Sequence, residues 1–305
     1  MVPATAGIAG AAPASGRHAV WRDWTWFALP AVALLAVVFF VPMAYLAGFS
    51  LHPHRGPGAM GKEFTLANYV RFVSDPFYLG ILADTLLIGA IVVSVCLLLG
   101  YPVAYLLARS RGRYRAFLVF LVVAPLLIAT VIRNLGWFPI LGDNGMINWL
   151  LMATGLFSAP VRMLNNVTGV VIALVHTFLP FMILALVTVI QKIGVDLEEA
   201  AQNLGAGPWT TFFRVILPLS RPGLLAGYLV VFTSVISAFT TPAMMGGKRV
   251  LVMSTFIEQQ IRSVLNYPFG AAMAIVLMIV GIILAHFVKR LQDHLLRWRP
   301  RSAGI

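Results

Sequence analysis

The chain has 305 residues, of which 60% are hydrophobic and 10% carry a charge, and its mean hydropathy is +0.91. A soluble globular domain is typically about 45–50% apolar and about 25% charged, so the composition excludes that class and indicates a membrane protein. The net charge of +12 does not indicate nucleic-acid binding. The basic residues form short clusters at the ends of apolar runs, not a basic face on a polar module.

The N-terminal segment, residues 1–25, is rich in Ala, Gly, Pro and Ser. This composition predicts a disordered, weakly basic cytoplasmic tail. The apolar run that follows, at 26–51, is longer than the roughly 7–15 apolar residues of a signal-peptide core. It therefore predicts an uncleaved first membrane span.

Five further runs lack Asp, Glu, Lys and Arg and reach the roughly 17–25 residues that cross a hydrocarbon core about 30 Å thick. Backbone polar groups in lipid must be satisfied within the segment, so we expect helices. The sequence thus predicts an all-α integral membrane protein with six transmembrane helices, a transmembrane domain at 26–290 and a basic cytoplasmic tail at 291–305. The five runs are 86–108, 116–132, 163–191, 222–247 and 263–288.

The distribution of basic residues predicts the orientation of these spans. With the N-terminus inside, fourteen of the 22 Lys and Arg residues fall in inner segments and eight in outer segments. Four arginines between 109 and 115, separating the second and third runs, form the densest cluster. Lys and Arg accumulate in cytoplasmic loops and contact anionic lipid headgroups, so both termini are predicted to be cytoplasmic.

The sequence lacks the patterns of an enzyme or a metalloprotein. Cys96 is the single cysteine and lies in an apolar run, which excludes an intrachain disulfide and a cysteine-based metal site. The segment 246–248 superficially resembles a phosphate-binding loop, but Pro242 and Arg249 occupy positions that require Gly and Ser or Thr. We expect no catalytic site, no cofactor and no metal in this chain.

The inner loop at 192–221, before the fifth run, is the most informative segment. Asp196 and Glu199 have capping-box spacing for a short helix, and Gly205 can end that helix in a left-handed conformation. Pro208 suits the first turn of a second helix. Four apolar residues on that helix recur at i, i+3, i+4 and i+7 and predict one apolar stripe. They are Trp209, Phe212, Phe213 and Ile216.

An amphipathic helix of this kind can rest on lipid headgroups or dock into a groove on a soluble partner. The run Glu199-Ala200-Ala201, three residues, Gly205, nine residues, Val215, one residue, Leu217-Pro218 resembles the EAA loop of type I ATP-binding-cassette importer permeases. The usual motif has Ile at the position of Val215. The resemblance favours docking and covers roughly residues 25–292.

The resemblance implies a bacterial inner-membrane permease that pairs with a second permease subunit, identical or homologous. It also implies two ATP-binding-cassette ATPase subunits, which hydrolyse the ATP, and an extracytoplasmic solute-binding protein. In this family the loop couples the ATPase to the membrane helices. The coupling residues carried over are Glu199, Ala200, Ala201, Gly205, Trp209, Phe212 and Phe213.

Four runs also resemble the spermidine and putrescine permeases: Leu179 to Leu184, Leu204 to Ala206, Arg214 to Leu219 and Tyr267 to Ala272. They imply a polyamine as solute, with a phosphonate or an oxyanion as the alternative within the same class. An ion-coupled secondary transporter is the alternative from another class, but it requires buried ionisable residues that the spans largely lack.

Residues in or near the spans that can contact a solute are few. A cation crossing a pathway of low dielectric needs carboxylates, aromatic rings or oxygen atoms. His176 is ionisable and lies within a span, which makes it a candidate, although a histidine bonded to neighbouring backbone is the alternative interpretation. The predicted pathway residues are Asp84, His176, Phe239, Thr240 and Glu258.

Overall fold

A computed structural model of the chain describes residues 17–155, 157–247 and 249–296. The chain divides into two compact units, residues 1–49 and residues 50–305, which are described separately. Of the predicted tails, residues 1–16 and 297–305 lie outside the described residues. The parts of the tails closest to the spans, 17–25 and 291–296, are helical.

The described residues are almost entirely helical, as predicted. A two-stranded antiparallel hairpin, β1 (His54–Gly56) and β2 (Ala59–Met60), is the one sheet in them. The helices are α1 (Arg17–Ser50), α2 (Ala67–Ser74), α3 (Pro76–Arg109), α4 (Gly112–Val123), α5 (Thr130–Leu141), α6 (Met146–Ala153), α7 (Val167–Ile190), α8 (Val195–Asn203), α9 (Pro208–Thr211), α10 (Leu217–Leu219), α11 (Arg221–Ser237), α12 (Met253–Arg262) and α13 (Tyr267–Leu296).

Four helical segments of the described residues are long and apolar enough to cross a membrane: Leu29–Ser50, Pro76–Arg109, Val167–Ile190 and Tyr267–Arg290. Two further pairs qualify only if a bend is included. Gly112–Leu127 and Thr130–Ala153 meet at 99°, and Pro208–Leu219 and Arg221–Ser237 meet at 64°. The all-α membrane fold is confirmed, and the number of spans lies between four and six.

The predicted third run, 116–132, is broken in the structure. Helix α4 tightens into a 3₁₀ turn at Ala124–Leu127, and extended residues Ile128 and Ala129 precede α5. Pro125 lies at the start of the turn, where its missing N–H interrupts the α-helical hydrogen bonding. The run contains enough apolar residues for a span, but its backbone changes direction in the middle.

The predicted fifth run, 222–247, is also interrupted. Helix α11 ends at Ser237, Ala238 is extended, and a π-helical turn occupies Pro242–Gly246. Pro242 has no N–H to donate to the carbonyl of Ala238, four residues earlier. The hydroxyl of Ser254 donates to that carbonyl instead, at 2.7 Å. A side chain from α12 therefore stabilises the break, as membrane proteins require.

Helices α3, α7 and α11 form the main core of residues 50–305. Gly227 allows the close approach of α11 to α7, because an added Cβ would lie 2.6 Å from the sulfur of Met182. Cys96 is buried in this core, and its thiol lies 3.8 Å from the carbonyl of Val175. The single cysteine is thus a packed core residue.

A second, aromatic core holds α12 against α3 and α13. The ring of Tyr78 contacts Phe269 edge-on at 4.9 Å and Phe256 in a tilted arrangement at 6.0 Å. The backbone N–H of Met253, at the start of α12, donates to the hydroxyl of Thr85 on α3 at 2.9 Å. These contacts fix α12, which carries Glu258, beside the broken end of α11.

Candidate functional site

The loop at 192–221 forms a short helix, a glycine turn and a second helical segment. Helix α8 ends at Asn203, and Gly205 follows with φ +85°, a left-handed conformation that glycine adopts without strain. The amide of Ala206 then donates to the carbonyl of Ala201 at 3.0 Å. Pro208 opens α9, which continues through a π-helical turn at Phe212–Ile216 into α10.

The predicted capping box is wrong. Gly194 is the N-cap residue of α8, and no side chain caps the helix. Helix α8 begins one residue before Asp196, so Asp196 and Glu198 lie within its first turn. In the first turn, their negative charge interacts favourably with the positive end of the helix dipole. Neither carboxylate accepts a hydrogen bond in the way that an N-cap side chain does.

The predicted apolar stripe is divided between two environments. Trp209 and Phe213 stack on each other with ring centroids 6.2 Å apart, and the Trp209 residue is 76% exposed. Ile216 is buried, and the half-buried ring of Phe212 packs edge-on against Tyr101 of α3 at 5.2 Å. Trp209 and Phe213 are therefore exposed, whereas Phe212 and Ile216 pack against the protein.

A buried ion pair anchors α8 to α3. Arg109, at the end of α3, donates from Nε at 2.9 Å and from Nη2 to Oε1 of Glu198. Its Nη1 donates to the carbonyl of Ile190 at the end of α7, at 3.3 Å. The hydroxyl of Tyr105 donates to Oε2 of Glu198 at 2.8 Å. The side chains of Arg109 and Glu198 are 19% and 10% exposed, so this cluster, the Arg109–Glu198 anchor, connects three helices in a largely dry setting.

The EAA resemblance pointed to the neighbouring Glu199 and not to Glu198. Glu199 and Ala200 are exposed, and Ala201 is half-buried. The signal for Glu198 was the arginine cluster after the second run, which requires a partner carboxylate wherever one of its members is buried. Nothing in the local spacing connects Arg109 with residue 198, since 89 residues separate them.

A second polar contact joins α3 to the far end of the loop. The hydroxyls of Tyr101 and Ser220 lie 2.7 Å apart, and the Ser220 hydroxyl donates to the carbonyl of Leu217 at 3.0 Å. Ser220 is fully buried between α10 and α11. The loop is therefore attached to α3 near both of its ends.

A cavity of about 610 Å³ lies where the two broken segments meet α7, and we call it the break cavity. Arg133 is the one charged residue among its lining residues. Hydroxyls and aromatic rings supply most of the remaining recognition chemistry. They belong to Thr130, Thr177, Phe178, Phe181, Phe239, Thr240 and Thr241.

A groove of about 740 Å³ lies between α11, α12 and α13. Its lining is mostly aliphatic and includes the ion pair of Glu258 and Arg262, in which Oε1 lies 3.5 Å from Nε. Phe239 lines both this groove and the break cavity. The structure therefore brings together three of the predicted pathway residues, Phe239, Thr240 and Glu258.

The other two predicted pathway residues lie elsewhere. Asp84 is exposed on α3 and lines neither the break cavity nor the groove. His176 on α7 is half-buried, and its Nδ1 accepts a hydrogen bond from Trp137 Nε1 at 3.2 Å. The histidine thus has a structural partner in α5. No group of three or more His, Cys, Asp or Glu side chains in the described residues could hold a metal ion.

Residues 97–298 match the family model of the binding-protein-dependent transport system inner membrane component. The spermidine/putrescine transport system permease protein PotB of Haemophilus influenzae is 36% identical over 250 residues, which is 81% of this chain and 87% of that protein. The PotB protein of Escherichia coli K12 is 35% identical over 82% of this chain and 90% of its own length.

Solved structures show the same fold. A bacterial alginate ABC transporter, in complex with an alginate pentasaccharide-bound periplasmic protein, aligns with a TM-score of 0.70 and 19% identity over 91% of this chain and 97% of its own. The family match covers more than half of the sequence, and the relatives exceed 30% identity over most of it. The chain therefore belongs to the family of inner-membrane components of binding-protein-dependent transport systems, a multi-pass transport subunit and not an enzyme.

Proposed function

We propose that this chain is the permease subunit of an importer for polyamines such as spermidine and putrescine. The observation that carries the proposal is the 36% identity to a spermidine/putrescine permease over 81% of the chain. The groove between α11, α12 and α13 supports it, because a polyamine is an aliphatic chain that bears ammonium groups. Aliphatic walls, the Glu258 carboxylate and the Phe239 ring match those two features.

Glu258 is available to a cationic solute in this arrangement. Its ion pair with Arg262 is long at 3.5 Å, and the side chains are 36% and 80% exposed. Such exposed ion pairs contribute about 0–1 kcal/mol to the stability of the fold, so an ammonium group of the solute can compete with Arg262 for the carboxylate. Phe239 and Thr240, at the break after α11, continue the proposed path into the break cavity.

The loop at 192–221 is proposed to dock on an ATPase subunit. Glu199, Ala200, Trp209 and Phe213 are exposed and include a stacked aromatic pair, which suits insertion into a groove of a soluble partner. Ala201, Gly205 and Phe212 would shape the loop behind this contact. Two ATPase subunits, a second permease subunit and an extracytoplasmic binding protein complete the proposed transporter, embedded in membrane lipid.

The Arg109–Glu198 anchor provides the route for coupling. When the ATPase subunits close, the loop moves, and the anchor pulls on the end of α3 and, through the carbonyl of Ile190, on the end of α7. The contact of Tyr101 with Ser220 carries the same displacement to α11. Helix α7 and the residues that follow α11 line the break cavity, so their displacement would switch access to the pathway between the two sides of the membrane. Both termini and the loop would be cytoplasmic, consistent with the distribution of basic residues.

The test is uptake of labelled putrescine and spermidine by the transporter reconstituted with its binding protein. Glu258→Gln should lower uptake about tenfold, since it removes one charge-assisted contact. Asp84→Asn is the matched control, because Asp84 lines neither cavity, and uptake should stay near the wild-type rate. If neither amine enters and an anionic solute does, the polyamine assignment fails while membership of the permease family stands.

A second candidate function is the import of a phosphonate or an inorganic oxyanion. Arg133 favours it, because a guanidinium group in the break cavity can bind an oxyanion through two parallel hydrogen bonds. Uptake of labelled phosphonate, sulfate and molybdate in the same vesicles distinguishes the two. An anion importer would transport one of these and neither polyamine.

A further inference from the structure

Arg133 carries an unsatisfied charge. It lies in the first turn of α5 and lines the break cavity. Its Nε and Nη1 atoms are shielded from solvent and have no hydrogen-bond partner among the described residues. Its Nη2 has one long contact, 3.4 Å to the hydroxyl of Thr130. A guanidinium group has five N–H donors, so most of its bonding capacity is unused.

No acidic residue of the described chain lines the break cavity. A shielded cation without a counter-charge is strongly unfavourable, and proteins compensate such groups by pairing. The side-chain oxygen Oδ1 of the adjacent Asn134 is also buried without a partner among the described residues. The side-chain nitrogen Nδ2 of Asn134 donates to the hydroxyl of Thr241 at 3.2 Å. Two adjacent residues of α5, the cationic Arg133 and the hydrogen-bond acceptor Asn134, therefore keep unsatisfied polar atoms.

The residues at the edge of this cavity are apolar and exposed. The Leu127 residue is 79% exposed, and Ile128, Phe181 and Phe239 are each at least 40% exposed. Exposed apolar side chains of a membrane protein face lipid or another subunit, and a shielded charge among them favours a protein partner, because lipid tails cannot supply a counter-charge.

We propose that Arg133 forms an ion pair with a carboxylate of the second permease subunit, which covers the break cavity. The proposal rests on the proposed function, because a polyamine is a cation and cannot supply the counter-charge. Pairing also neutralises the one charge on the lining of the cavity, so a polycation that passes Phe239 is no longer repelled. The unpaired guanidinium marks where the second subunit sits.

Photocrosslinking in the assembled transporter tests this contact. Benzoylphenylalanine at Thr130 keeps the Arg133 side chain, removes its 3.4 Å contact with the Thr130 hydroxyl and positions the probe within the cavity. We expect a crosslink to a peptide of the second permease subunit that contains Asp or Glu. Ile132 on the same helix is exposed but does not line the cavity, so the probe at that position should give much less of the same product. Crosslinks from Thr130 only to lipid or to this chain's own residues would overturn the proposal.

Charge exchange provides the second measurement. Arg133→Glu should lower putrescine uptake roughly tenfold or more, and Arg133→Lys should retain most of it, because breaking a shielded pair is costly. Replacing the crosslinked acidic residue of the second subunit with Arg should restore uptake to the Arg133→Glu variant. If this exchange does not restore uptake, or if wild-type transporter takes up an anion that Arg133→Gln no longer binds, the ion pair is refuted. Because the crosslink does not depend on the solute, it separates failure of this contact from failure of the polyamine assignment.

Discussion

Removal of the Glu198 carboxylate should release α8 from α3. In Glu198→Ala, Arg109 keeps its hydrogen bond to the carbonyl of Ile190 and its position over the Tyr105 ring, and the hydroxyl of Tyr105 loses its acceptor. Loss of one partner from a buried ion pair costs about 3–5 kcal/mol. The Arg109 side chain is 19% exposed, so we expect the lower end, about 3 kcal/mol.

This magnitude sets the measurable effect. A cost of about 3 kcal/mol in local stability corresponds to a roughly 100-fold larger population of the open loop. Amides of α8 should therefore exchange roughly 100-fold faster with deuterium, while amides in the core of α7 stay protected. Stimulation of the ATPase by the loaded binding protein should fall with the loss of loop order. Glu199→Ala is the matched control, since Glu199 is exposed and its replacement should change α8 exchange by less than about 0.5 kcal/mol.

A double variant separates the ion pair from a general disturbance of the loop. Replacing Arg109 with Met in the Glu198→Ala background removes the unpaired guanidinium, so α8 protection should recover in part. The reasoning is refuted if Glu198→Ala leaves both α8 exchange and ATPase stimulation at wild-type values. It is also refuted if Glu199→Ala produces the same acceleration, because the effect would then not depend on the buried carboxylate.

The remaining predictions concern the docking and the orientation of the loop. Gly205→Asp should insert normally but lose coupling, because φ +85° strains any residue with a Cβ by roughly 1 kcal/mol or more; normal transport and ATPase stimulation would contradict this. Glu199→Lys should leave α8 protected but abolish binding-protein stimulation of the ATPase, and co-purification of ATPase at the wild-type ratio would count against docking through this residue. Ala206→Cys in a Cys96→Ser background should resist an impermeant thiol reagent in intact, outer-membrane-permeabilised cells, and labelling there would place the loop outside.

Sequence patterns of short range predicted much of this protein. Composition alone indicated a membrane protein, and charge-free runs located the long helices α3, α7 and α13. Gly205 and Pro208 predicted the turn and the second helix of the loop, because left-handed glycine and an N-terminal proline are preferences of single residues.

Tertiary structure decided which of two adjacent glutamates is buried. Adjacent residues on a helix point about 100° apart, so the two glutamates cannot share an environment, and the packing of α8 against α3 turns Glu198 toward Arg109 and leaves Glu199 exposed. The sequence also did not locate the breaks near Pro125 and Pro242. The runs that contain them are apolar enough to span the membrane, although their backbone bends. Contacts such as Arg109 with Glu198, or Ser254 with the Ala238 carbonyl, join residues far apart in the chain, and only the packing of helices brings them together.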